Sequence, residues 1–374
     1  MKIVADNKIP FLKGAFEDKA EIIYLPGADI SRTDLIDADA LIVRTRTNCN
    51  AALLEGTSVK FIATATIGFD HIDADYCRAN GIEWTNAPGC NSSSVEQYIV
   101  AVILNLAEKK RFSVDKFTIG IIGVGNVGKK VARVAEALGM KVLLNDPPRE
   151  RNEAISGFVS LEEIKNQADI ITFHVPLNKE GEDKTFHLAD KEFIGSMKKD
   201  SILINTSRGE VVDNQALKEA LKDNYLQAAV LDVWENEPDI DTDLLSLVDI
   251  STSHIAGYST DGKANGTTMS VHAISKFFKL ELDSWIPNSV PSPENSILEI
   301  ECSELSKQEI IHNVYRKCYD ISNDDKLLKL NPQDFENLRG TYRVRREASS
   351  YSVSLKNNKH KDLEDILRNL GFTL

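Results

Sequence analysis

The chain has 374 residues, 42% of them apolar and 27% charged, which suits two or three globular cores and rules out a largely disordered chain. A formal net charge of −13 disfavours a general nucleic-acid or acidic-membrane binder, and no apolar run reaches the ~18 residues that a membrane span needs. Five cysteines (Cys49, Cys77, Cys90, Cys302 and Cys318) form no CxxC pair, which argues against a disulfide framework or zinc cluster and for a reducing, cytoplasmic setting.

In chain order, apolar or β-branched runs at 2–5, 20–25, 40–44, 60–66 and 82–86 alternate with helix-length segments, the pattern of a parallel sheet with helices on its faces. A new unit opens near Asn91. Ser93 followed by Glu96 reads as a capping box, and Val95, Tyr98, Ile99, Val102, Ile103 and Leu106 recur at helical spacing. Strand candidates follow at 117–122, 141–145, 169–173, 201–205, 228–232 and 249–252, with helices such as 214–221 between them. Six such strands predict a doubly wound Rossmann nucleotide-binding domain in an α/β protein. The Pro-rich stretch 285–293 reads as a linker, and strands at 296–302 and 350–355 with helical material between them predict a small further domain.

The run Gly123-Val124-Gly125-Asn126-Val127-Gly128 follows a strand and opens a helix that Gly139 should stop. Its first glycine allows a tight turn, the second lets backbone approach a pyrophosphate, and the third lets helix and strand pack closely. Asp146, at the end of the next strand, stands near the offset expected of the carboxylate that grips ribose hydroxyls. A carboxylate there repels a 2′-phosphate, so the expected cofactor is NAD rather than NADP.

Three later strand ends carry Arg208, Glu237 and His254. Each has a plain alternative: a surface ion pair, a solvated carboxylate, a histidine satisfied by backbone. Together, beside a dinucleotide site, they fit hydride transfer from an alcohol. A histidine oriented by a carboxylate takes the hydroxyl proton, and a fixed guanidinium grips a substrate carboxylate at two points.

With the segment Ala63-Thr64-Ala65-Thr66-Ile67-Gly68-Phe69-Asp70-His71-Ile72-Asp73, these motifs resemble the D-isomer-specific 2-hydroxyacid dehydrogenases over roughly residues 1–285. The resemblance implies that Arg208 orients the substrate, His254 is the acid/base and Glu237 its partner. It places cofactor contacts at Gly123, Gly125, Asn126, Val127, Gly128, Asp146, Val175, Thr206, Ser207, Arg208, Asp232 and Gly257, and substrate contacts at Thr45, Thr66 and Tyr258. Thr45 stands where the family carries serine. The implied architecture is a flavodoxin-like substrate-binding lid (1–93 with 257–285), an NAD-binding Rossmann domain (94–256) and a C-terminal α+β dimerisation domain (286–374). Ala87-Pro88-Gly89-Cys90-Asn91, Leu231-Asp232-Val233-Trp234-Glu235 and Arg345-Arg346-Glu347 point to a branch that oxidises a phosphorylated four-carbon 2-hydroxy acid in pyridoxal phosphate synthesis, as a homodimer. Two alternatives stay open: a dehydrogenase of another phosphorylated hydroxy acid with an amino-acid-sensing extension, and an NAD-sensing corepressor that acts by binding partners.

A doubly anionic phosphate on so acidic a chain needs local cations. Arg44 and Arg46 flank Thr45 on an extended run and should point the same way, while Arg345 and Arg346 form a second cluster expected to reach a partner subunit's site. His71, His174, His187 and His272 lack metal-ligand spacing, so no metal is expected, and Cys90 reads as a packed thiol.

Overall fold

The computed structural model describes residues 1–153 and 156–374. They divide into two compact units, Met1–Asn91 with Ser259–Pro291 and Ser92–Tyr258 with Ser292–Leu374.

The first unit is built on five parallel strands: β1 (Lys2–Asp6), β2 (Glu21–Leu25), β3 (Ala40–Val43), β4 (Phe61–Thr64) and β5 (Glu83–Thr85). Their order, β2-β1-β3-β4-β5, is that of flavodoxin-like sheets. Every position of β3 and β4 is buried, so these segments read as unbroken apolar or β-branched runs rather than alternating ones. One face packs on Leu35, Leu53, Leu54 and Cys77. The other packs on Val271 and Ile274 of the late helix Thr260–Phe278.

β3 stops at Val43, and Thr45 and Arg46 lie in a turn. The strand alternation that would aim Arg44 and Arg46 together therefore does not apply. Arg44 instead folds back, its Nη1 donating to the Lys8 carbonyl at 2.9 Å.

The second unit holds β6 (Thr118–Ile122), β7 (Lys141–Asn145), β8 (Ile170–Phe173), β9 (Ile202–Asn205), β10 (Ala228–Leu231) and β11 (Ile250–Ser251), all parallel in the order β11-β10-β9-β8-β6-β7. The sheet grows first to one side of β6, through β7, and then to the other, through β8. The crevice beyond the C-terminal ends of β6 and β8 is the switch point at which such sheets take ligands.

The helix Ser92–Lys110 is buried without interruption from Ser94 to Ala107. It lies in one apolar cluster with Ile119, Ile202 and Val230 of the sheet and with Leu298, Val314 and Tyr315 of the C-terminal segment. Because the helix already includes Ser92, Ser93 sits within its first turn and is not the predicted cap. Its hydroxyl instead accepts from Lys130 Nζ at 2.5 Å, and Glu96 pairs with Arg133.

The C-terminal segment has a small parallel sheet of its own, β12 (Ile297–Glu301) with β13 (Ser352–Lys356), and the helices Lys307–Cys318 and Ile321–Leu330. Here the expectation for Arg345 is corrected. Arg345 is only 2% exposed, its Nη2 donates to the Ala256 carbonyl at 2.6 Å and to Ser94 Oγ, and its Cζ sits 4.4 Å from the Tyr319 ring centroid. A guanidinium held this way braces the chain after His254 and has no freedom to reach a substrate. Arg346 is partly buried, and its carbonyl accepts from Gln97 Nε2 at 3.1 Å.

Replacing Arg345 by Met should cost ~2–4 kcal/mol, because the Ala256 carbonyl loses a buried charged donor. Urea unfolding measures this, and an unchanged midpoint would return Arg345 to the list of substrate candidates.

Candidate active site

The glycine loop leaves β6 into the helix Asn126–Ala137. Gly123 has φ +88°, and a Cβ there would fall 2.5 Å from the His174 carbonyl at the end of β8. A Cβ on Gly128 would fall 2.1 Å from the Gly123 carbonyl, so strand and helix pack as closely as the motif requires. At Gly125 a Cβ would meet nothing within 4 Å, leaving open space beside the helix N-terminus. That space has the shape a pyrophosphate needs, with Asn126 and Val127 opening the helix beside it. Asp146 lies at the end of β7, where its Oδ2 accepts from Val124 N at 2.8 Å and its Oδ1 from Arg149 N at 3.1 Å. Each oxygen keeps acceptor capacity for a ribose hydroxyl. Val175 stands two residues past β8, next to the Gly123 turn, where its Cγ1 would lie 2.8 Å from a Cβ on Gly123.

Beyond β9 the chain is pinned by Asn205, whose side chain is fully buried. Its Oδ1 accepts from the Ser207 backbone and hydroxyl at 3.1 and 2.8 Å, and its Nδ2 donates to the Arg208 carbonyl at 2.8 Å. Gly209 then passes so near the Trp234 carbonyl that a Cβ would lie 1.9 Å from it. Only glycine lets the Arg208 segment cross the Trp234–Glu237 segment. Sequence reasoning passed over this glycine, although it directly follows a candidate arginine at a strand end.

His254 and Glu237 meet as expected: the imidazole Nδ1 lies 2.8 Å from Glu237 Oε2. Glu237 Oε1 accepts from Trp234 N at 2.9 Å, which fixes the carboxylate. His254 Nε2 has no hydrogen-bond partner among the described residues. The residue has φ +58°, a left-handed conformation costly for a side chain of this size. Asp232 holds it there. Its carbonyl accepts from His254 N at 2.7 Å, and its carboxylate accepts from Ile255 N at 2.7 Å, Ala256 N at 2.9 Å and the Thr252 hydroxyl at 2.6 Å.

Asp232 is 1% exposed, and burial raises its carboxyl above the usual range. Three of about four acceptor positions on that carboxylate are filled by the loop. Its first duty is thus to shape the loop beneath His254; sequence reasoning gave it only a cofactor contact. Thr206, at the end of β9, approaches His174 Nδ1 with its hydroxyl at 3.4 Å, and Gly257 and Tyr258 follow the braced Ala256.

A second histidine–carboxylate pair was not anticipated. His187 Nε2 lies 2.6 Å from Glu235 Oε1, tying two loops together. Glu235 Oε2 also accepts from Asn214 N at 3.0 Å, so this carboxylate is engaged on both oxygens.

In the first unit Thr45 is exposed, in the turn after β3. Thr66, after β4, donates its hydroxyl to the Gly68 carbonyl at 3.0 Å and meets Thr64 Oγ1 at 2.7 Å, which in turn meets His71 Nε2 at 3.1 Å. Among the described residues no group of three or more His, Cys, Asp and Glu side chains is placed to share a metal ion.

Against known proteins, residues 100–256 match the NAD binding domain of the D-isomer specific 2-hydroxyacid dehydrogenases, and residues 291–371 match a domain of unknown function. The erythronate-4-phosphate dehydrogenase of Bacteroides fragilis is 53% identical over 354 residues, which is 94% of this chain and 99% of that protein. The chain belongs to the erythronate-4-phosphate dehydrogenase family. The Porphyromonas gingivalis member is 44% identical over 94% of this chain and 95% of its own length. Among solved structures, the D-lactate dehydrogenase of Aquifex aeolicus with NAD and lactic acid is 29% identical with a TM-score of 0.61, covering 76% of this chain and 97% of that one. The NAD-bound 3-phosphoglycerate dehydrogenase of Entamoeba histolytica shares the fold at 23% identity and a TM-score of 0.63, over 77% of this chain and 99% of that one. These two solved structures thus leave about a quarter of the chain uncovered, whereas the erythronate-4-phosphate dehydrogenases match nearly all of it.

The strand-end histidine His174 yields a pH prediction for this member of the family. It is closely surrounded by protein, and burial pushes it down to about 3, so it stays neutral in the folded chain. The unfolded chain takes up the proton below the ordinary histidine value of ~6.5, so stability is full above that pH and falls as pH drops toward 3. At pH 5.5 the loss is up to about 1.4 kcal/mol relative to pH 7.5. Urea midpoints at the two pH values should differ less in His174→Gln than in the parent protein.

Proposed function

We propose that the chain oxidises 4-phospho-D-erythronate at C2 to 3-hydroxy-2-oxo-4-phosphobutanoate with NAD, a step in pyridoxal phosphate synthesis. The observation that carries this reading is 53% identity to an erythronate-4-phosphate dehydrogenase over 94% of the chain, a span that includes the C-terminal segment. That span also favours it over a phosphoglycerate enzyme with a different extension. The ordered C-terminal segment, with a sheet of its own rather than a low-complexity tail, favours an enzyme over a corepressor that acts by binding partners.

His254, held by Glu237 through Nδ1, has Nε2 left for the C2 hydroxyl. As the alcohol is oxidised its proton passes to that nitrogen, and Glu237 stabilises the imidazolium. Arg208 spends one donor on the Ser207 carbonyl at 2.8 Å and keeps the rest of its fork for the substrate carboxylate. Thr45, Thr66 and Tyr258 are the proposed further substrate contacts. Gly123, Gly125, Asn126, Val127, Gly128, Asp146, Val175, Thr206, Ser207, Asp232 and Gly257 are the proposed cofactor contacts. Bound there, NAD supplies the hydride acceptor.

His254→Ala should lower turnover ~10²–10⁴-fold with NAD affinity nearly unchanged, and Arg208→Lys should be severe because an ammonium lacks the two-point grip. Asp146→Ala should weaken NAD and narrow its advantage over NADP. The direct test follows NAD reduction with 4-phospho-D-erythronate, 3-phosphoglycerate and D-lactate in turn. Preference for either of the last two would overturn the reading.

A homodimer is the proposed assembly, formed through the C-terminal segment. Ile297, Leu330 and Val344 are 64%, 65% and 58% exposed there, an apolar cost that a partner copy removes. Light scattering should give twice the chain mass, and Leu330→Glu with Val344→Glu should shift it toward one chain. Free thiols at all five cysteines support a reducing compartment such as the cytoplasm. No helix among the described residues is long and apolar enough to cross a membrane.

A further inference from the structure

Arg339, Arg343, Arg345 and Arg346 lie within eight residues of one another, and three of them are accounted for. Arg343 pairs with the buried carboxylate of Asp324, Arg345 is held by backbone carbonyls, and Arg346 has partners of its own. Arg339 is different. Its Nε, like that of Arg345, is buried with no hydrogen-bond partner, but among the described residues its guanidinium, unlike that of Arg345, meets neither carboxylate nor carbonyl. It lies instead over an aromatic face: Cζ is 5.4 Å from the ring centroid of Tyr258.

That ring is itself fixed. Tyr342 meets it edge-on at 6.4 Å, and the Tyr342 hydroxyl donates to Asp324 Oδ2 at 2.7 Å. Arg339 stands on the short helix Phe335–Gly340, anchored by Phe335 at 1% exposure. A partly buried cation with an unsatisfied donor is costly in any protein, and here it persists in a chain of net charge −13 with many carboxylates to pair with. An aromatic face orients a guanidinium without using its N–H groups, so the donor fork stays available for an anion.

Tyr258 follows His254 by four residues, with Ile255 and Ala256 pinned between them by Asp232. We infer that Arg339 is the specificity residue that binds the substrate's phosphate, held over Tyr258 with its donors open. This rests on the activity and on the Tyr258 contact proposed above. The fork of a guanidinium matches two phosphate oxygens, so the gain falls on phosphorylated substrates alone.

The test compares the full-length protein with Arg339→Gln and Arg339→Lys, using 4-phospho-D-erythronate and unphosphorylated D-erythronate. In Arg339→Gln the ratio of kcat/KM between the two substrates should fall ~10–100-fold, mainly through KM for the phosphorylated one. Arg339→Lys, which keeps the charge, should recover part of it. Inorganic phosphate should inhibit the parent protein competitively and the Gln variant much less. A parallel loss on both substrates would make Arg339 a mere support for Tyr258 and overturn the inference, as would an unchanged ratio. A parent protein that fails to oxidise 4-phospho-D-erythronate at all would remove the underlying activity and this inference with it, and that result is distinct from either.

Discussion

The buried carboxylate of Asp232 is the constraint on which the candidate site depends. It turns the chain after β11 by accepting from Thr252, Ile255 and Ala256, while its own carbonyl takes the His254 amide. Burying an anion this deeply is tolerable only because its oxygens meet donors on several sides. The return is a histidine held in a left-handed conformation that an unbraced loop would abandon. From the other side, the Trp234 indole donates to the Thr252 carbonyl at 3.0 Å and the Trp234 amide holds Glu237. One short stretch, 232–237, therefore supplies both the brace beneath the imidazole and the carboxylate beside it.

Much of this was legible in the amino-acid order. Fully buried parallel strands announce themselves as unbroken apolar runs, so β6 to β11 lie within a residue or so of the segments read from pattern. The glycine loop was legible because its spacing encodes contacts between neighbouring backbones. His254 and Glu237 were legible as chemistry at strand ends, and they meet at 2.8 Å. What pattern could not reveal were contacts made across the fold. Gly209 matters because of Trp234, and Asp232 matters because of a loop twenty-odd residues later.

The arginines show the same limit from the opposite direction. Charge arithmetic asks for cations beside an anionic substrate, but it could not rank the chain's arginines by what already surrounds each one. Arg345 stands in a conspicuous Arg-Arg-Glu run and is consumed by carbonyls of the Ser94 and Ala256 segments. Arg339, in an unremarked helix, is left without an acceptor. A neighbourhood of aromatic rings, Tyr258, Tyr319 and Tyr342, separates these cations and lets them sit close without carboxylates between each pair.

Both compact units are assembled from segments far apart in the chain, and this bears on how the protein emerges from a ribosome. The sheet of the first unit is complete by Thr85 and Leu12 and Phe16 cover part of one face, yet Val271 and Ile274, which complete that cover, come almost two hundred residues later. At ~5–20 residues per second, that face waits ~10–40 s for its cover. The helix Ser92–Lys110 likewise precedes by some two hundred residues the segment carrying Leu298, Val314 and Tyr315 that closes over it. Neither core can be completed in the order of synthesis, so the nascent chain carries two unfinished apolar surfaces at once until the helix Thr260–Phe278 emerges, and one of them until the last quarter follows.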